Sequence, residues 1–166
     1  MDTSTLNTMI TYQRWAQEKF YRKAGKIPAN MLLREVPLSH GNLLATILHP
    51  VDTLWYWRSA CEYGETPLDR LSIEEFPTVK AIAKRWETEQ VKLEEYAGSL
   101  KEKDLNARVE YSWPRAKPRS RTLWHILLHI VTHGVHHRAE AGQYMDSIGD
   151  SPGDLDFIIY CSKMGI

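Results

Sequence analysis

Five of the chain's seven histidines lie between positions 125 and 137, and four of them, His125, His129, His133 and His137, follow one another four residues apart. Four-residue steps turn an α-helix by about 400°, so these rings share one face at about 6 Å intervals. On a strand the same residues would also share a face but would stand about 13 Å apart. The segment has Arg121 to Leu128 as its lead-in. The stretch therefore predicts a long helix with one apolar face and one imidazole face. Two imidazoles one turn apart can hold a single metal ion.

The rest of the chain repeats the helical period. Leu6, Met9, Ile10, Tyr12, Trp15, Ala16 and Phe20 predict a helix over 4–23, capped by Asp2 or Thr3 and ended by Gly25 and Pro28. A second helix is expected over 41–62 with Ser39 as its cap, and Leu44, Ile47, Leu48, Val51, Leu54, Trp55 and Arg58 on its wide face. Pro50 falls inside it, frees the carbonyl of Thr46 and predicts a kink beside His49. A third helix is expected over 78–100, a short extended piece over 108–113, the histidine helix over 120–148 and a last short helix over 155–161. Pro114 and Pro118 predict an irregular loop. Four long amphipathic helices without a set of strands indicate an all-α, four-helix bundle in a single domain spanning 1–166. The long loops after the first and third helices leave more than one topology open.

Lys plus Arg and Asp plus Glu both number 21, so the net charge is zero, which argues against a nucleic-acid binder. The cluster Arg108, Arg115, Lys117, Arg119 and Arg121 is read as a solvated basic loop. No stretch has the apolar length of a membrane span and no signal peptide is visible. Two cysteines, Cys61 and Cys161, are too few for a disulfide framework and point to a reducing cytoplasm. Neither has a partner at ligand spacing, so both are expected to be buried structural thiols.

Catalytic metal sites commonly use three protein ligands and keep one position open. His49 is the third histidine of choice, because its stripe of Asn42, Ala45, Thr46, Asp52, Thr53 and Tyr56 is small and polar, as a pocket wall would be. On the ladder, spacing alone does not separate the pairs. Gly134 and a mid-helix position favour His133 with His137, whereas His136 points about 100° away. Asp52 is expected to orient His49 or a bound water. Tyr12, Trp15 and Tyr56 are candidate pocket walls, and His129 is a possible extra ligand. Arg138 is expected to hold a substrate carboxylate or, with slight preference, a surface ion pair. Glu140 is read as a surface charge. The spacing of His133 and His137 matches that of zinc metalloproteases, but Gly134 stands where their glutamate would be, so protease chemistry is discounted.

These residues resemble a known family. Tyr12, Trp15 and Ala16, then His49 through Arg58, then Leu128 to Arg138 with its His133-Gly134-Val135-His136-His137-Arg138 string, then Ser151 to Tyr160, are similar to segments of the DinB/YfiT-like family. The resemblance implies an up-down-down-up bundle that forms homodimers. It also implies a divalent metal, zinc or nickel, on His49, His133 and His137. The implied chemistry is thiol-dependent, such as S-transfer from a low-molecular-weight thiol to a small-molecule substrate. The alternative is a non-catalytic metal-binding stress-response protein. Pro50 and Ala139-Glu140-Ala141 depart from the family pattern.

Overall fold

The computed structural model describes residues 1–112 and 116–166. Its long helices are α1 (Thr3–Ala24), α3 (Leu43–Tyr63), α4 (Val79–Ser99) and α5 (Leu123–Ser147), with the short α2 (Ala29–Leu32) and α6 (Phe157–Met164). A 3-10 turn at Glu102–Asn106 precedes a small hairpin of β1 (Arg108–Tyr111) and β2 (Arg119–Thr122).

The helix starts follow side-chain chemistry. Asp2, Asn42 and Thr78 each accept a hydrogen bond from the backbone N–H three residues on, at 2.6, 2.8 and 3.1 Å. Each of these bonds satisfies one of the orphan donors of the first turn. The second long helix is thus capped by Asn42 and not by Ser39, which is engaged elsewhere. The histidine helix begins at Leu123, later than expected, because Ser120 to Thr122 pair with β1. α3 runs through Pro50 without a break. Of the expected extended piece over 108–113, β1 ends at Tyr111, and Trp113 lies outside the described residues, as do Pro114 and Arg115.

Around the bundle the neighbours are α1–α4, α4–α3, α3–α5 and α5–α1. Cross-helix contacts give the directions. The Gln90 side chain reaches the Ile10 carbonyl and Trp86 packs on Tyr21, so α4 runs against α1. Arg58 pairs with Glu89 and Tyr96 bonds the Cys61 carbonyl, so α3 runs with α4. Thr53 meets His133 and His49 meets His137, so α5 runs against α3. The result is the up-down-down-up bundle.

The core between these helices is built from Leu6, Ile10, Phe20, Leu43, Leu44, Leu54, Ile82, Leu93, Leu127 and Met145, all nearly or fully buried. Each such side chain contributes about 1.5–3 kcal/mol relative to exposure. One ion pair lies within it. Arg58 and Glu89, 2% and 1% exposed, meet at 2.7 Å. Each has a second partner nearer the surface, Glu62 for Arg58 and Arg85 for Glu89, so the pair belongs to a network of four charges. Among the described residues no helix is long and apolar enough to cross a membrane.

Candidate metal centre

His49 projects from α3 toward α5, where it meets His133 and His137. The ring centroids are 4.9 Å apart for His49 and His133, 4.8 Å for His49 and His137, and 4.5 Å for His133 and His137. The antiparallel run of α3 and α5 makes this possible, since one turn along α5 is matched by one turn back along α3. A fourth ring joins them. His40, in the loop before α3, stacks on His49 at 4.1 Å and lies 5.5 Å from His137.

The site keeps its imidazoles neutral. Burial first, and then the neighbouring rings, push His49 down to about 4 and His133 down to about 3. Burial also lowers His137, against the pull of Glu140. Neutral imidazole is the form that binds a metal ion, so the donor set suits a divalent ion such as zinc, nickel, iron or copper. His137 is oriented by a carboxylate: its Nδ1 lies 3.1 Å from Glu140 Oε2, which leaves Nε2 for a ligand. His133 Nε2 lies 3.1 Å from Thr53 Oγ1, so binding an ion through that nitrogen would exchange a hydrogen bond for a metal bond.

Cavities flank His49. One of about 150 Å³ is lined by His49, Thr53, Tyr56, Trp57, Arg70, His129 and His133. Another, of about 400 Å³, is lined by His40, Ala45, Leu48, His49, Asp52, Arg70, Leu71 and Ile73. Arg70 stands at both. Helical period does not predict this, because Arg70 lies in the loop after α3.

Several expectations change here. Asp52 does not bond His49. It pairs with Arg70 and accepts from the Leu71 N–H at 3.1 Å, so it fastens that loop. Burial raises its pKa, against the pull of Leu71 and Arg70. Glu140, read as a surface charge, is the carboxylate on the histidine cluster. Gly134 does not make room for the site. A Cβ there would stand 3.0 Å from both Gln13 Oε1 and Arg138 Nη1, on the α1 side of α5. Arg138 is neither on the surface nor at the histidines. It is 5% exposed and donates to Gln17 Oε1 at 2.9 Å.

Tyr12 and Trp15 also belong to that other side. The Tyr12 hydroxyl donates to the Leu155 carbonyl, and both rings pack on Tyr160. Tyr56 does reach the site, with its hydroxyl on the Ser112 carbonyl. His129 lines the smaller cavity, 5.2 Å from His133, while His125 is exposed against Trp124. Burial pushes the Cys61 thiol up to about 12, which keeps it unreactive.

The comparisons with known proteins agree with this architecture. The DinB family profile matches residues 1–163. The chain belongs to the DinB family. A crystal structure of a DinB-like protein from Bacillus cereus ATCC 10987 superposes with a TM-score of 0.64 at 16% identity, covering 88% of this chain and 94% of that one. At that identity the likeness speaks for the fold. No curated protein was found to match. As a DinB family member in which the ligand atoms of His40, His49 and His137 lie within 4.8 Å of one another, the protein is compatible with a divalent metal ion.

Proposed function

We propose that this DinB protein is a divalent-metal-dependent enzyme acting on a small molecule, with His49, His133 and His137 as ligands and zinc or nickel as the ion. The observation that carries this reading is the convergence of three neutral imidazoles from two facing helices beside a cavity. When bound, the ion would lower the pKa of a coordinated thiol or water and so supply a nucleophile at neutral pH.

The chain's own groups do the rest. Glu140 holds His137 in one tautomer through Nδ1. Tyr56 and Trp57 wall the smaller cavity and keep bulk water from that side. Arg70, held by Asp52, offers a cation to an anionic group of the substrate. Arg70 takes the role first considered for Arg138. The reaction class we favour is thiol-dependent S-transfer to an electrophilic small molecule, with a low-molecular-weight thiol as co-substrate.

One observation favours a second reading. The His40 imidazole beside the other three could close the coordination shell, which suits an ion that braces the bundle in a non-catalytic metal-binding protein. The test is the rate at which a thiol displaces halide from an activated aryl halide, forming the aryl thioether and releasing halide and a proton, with zinc- or nickel-loaded protein and bacillithiol, mycothiol, glutathione and cysteine in turn. Acceleration with one thiol that requires the metal and is lost in His133→Ala supports the enzyme. Stoichiometric metal with no acceleration by any of the four thiols favours the bracing role.

A further inference from the structure

We propose that His40 is a fourth imidazole ligand of the same ion, carried by the loop before α3 and positioned by Glu140. The inference rests on the metal-binding reading above and deepens it. His40 stands outside the helical ladder and shares no ligand spacing with it, so only the fold brings it in.

The ligand atoms of His40, His49 and His137 all lie within 4.8 Å of one another, a set to which His133 does not belong. In a tetrahedral shell with donors about 2.1 Å from the ion the donor atoms stand about 3.4 Å apart, so the widest pair of these rings has up to about 1.4 Å to close. All three are imidazole donors.

The loop is built to hold His40 there. Gly41 has φ 78°, a left-handed turn that glycine adopts without strain. Around it the Val36 N–H donates to the Gly41 carbonyl and the Gly41 N–H to the Leu38 carbonyl, both at 2.9 Å. Glu140 then ties this turn to α5. It accepts from the Ser39 N–H at 2.6 Å and the Ser39 hydroxyl at 2.8 Å, and its Oε2 also faces His137 Nδ1. One carboxylate therefore fixes a helix-borne donor and the residue next to the loop-borne one.

The two kinds of donor differ in freedom. His49, His133 and His137 are held by helices, and His137 is only 6% exposed. His40 is exposed and sits on a surface turn that borders the 400 Å³ cavity. A four-imidazole shell is closed, and the position that can open without disturbing the bundle is the one His40 fills. His40 thus sets both the affinity for the ion and the access of substrate to it.

The test compares wild type with His40→Ala, His40→Phe and Glu140→Gln. Zn2+ affinity is measured by competition with a chromophoric chelator, and coordination by the visible absorption of the Co2+-loaded proteins. His40→Phe keeps a ring to stack on His49 but removes the donor. We expect all variants to keep the wild-type circular dichroism. We expect both His40 variants to bind one Zn2+ at least about tenfold more weakly, with an altered Co2+ spectrum, since even an outer hydrogen-bond partner is typically worth that much. Glu140→Gln should weaken binding in the same direction. Wild-type affinity and an unchanged Co2+ spectrum in His40→Phe would overturn the proposal and leave a ring that only packs. A wild type that takes up neither ion would overturn this proposal and the metal-binding reading together.

Discussion

His137 and Arg138 are adjacent on α5 and almost equally buried, at 6% and 5% exposure, yet they serve opposite sides of the helix. His137 faces α3, with Glu140 on its Nδ1 and two more imidazoles against it. Arg138 faces α1, where it donates to the neutral Gln17 and, among the described residues, its Nη2 has no hydrogen-bond acceptor. Burial drives His137 toward the neutral form that a metal ion needs. Burial also lowers the pKa of Arg138, which stands between α5 and α1 beside a separate cavity of about 340 Å³ that Tyr12 and Leu155 also line. The 100° between consecutive helical residues therefore separates a ligand-ready face from a structural one.

Four experiments probe the difference between the two faces. The largest effect is expected on the packing side. Arg138→Ala should lower the unfolding free energy by about 2–4 kcal/mol, through the cavity it leaves and the stranded Gln17. Its Zn2+ affinity should stay within about twofold of wild type, and chemical denaturation and chelator competition read the two quantities separately.

On the other face, Glu140→Gln should weaken Zn2+ binding by about 10–100-fold, with a much smaller change in the denaturation midpoint. The third is a pH series on the metal-free protein. His49 and His133 are held near 4 and 3 in the fold, against 6.5 for an ordinary histidine. Between those values the unfolded chain binds more protons than the folded one. Stability should therefore be full above about pH 6.5 and fall steadily as the pH drops toward 4. Denaturant midpoints from pH 7.5 to 4.5 would check this, and His133→Gln should flatten the slope.

The smallest effect belongs to Gly134→Ala. The gain in helix propensity, up to about 1 kcal/mol, is offset by the displacement of Gln13 and Arg138. A net change below about 1 kcal/mol with unaltered metal affinity is expected. A large loss of metal affinity would return Gly134 to the site.

The helices and one of their caps, Asp2, were legible in the sequence because apolar period and capping chemistry are local. The gathering of His49, His133 and His137 was legible too, since four-residue spacing on one helix and a polar stripe on another both follow from helical phase. What escaped lies in loops or in the choice between faces. His40 and Arg70 reach the site from connecting segments, whose path no periodicity records. Asp52 was expected to serve His49, one turn away, but the loop after α3 folds over it and claims it through Leu71 and Arg70. Glu140 shares a face with His137, but its importance depends on Ser39, which is 101 residues away in sequence. Gly134 and Arg138 lie on the α1 side, and only the packing of α5 against α1 gives them a role.

The central claim is that the imidazole face holds an ion and the Arg138 face does not. Elemental mass spectrometry on untagged wild type, His137→Ala and Arg138→Ala, each incubated with zinc or nickel and then desalted, tests it most directly. Wild type and Arg138→Ala should carry about one ion per chain and His137→Ala almost none. No stoichiometric ion in wild type, or an undiminished ion in His137→Ala, would contradict it.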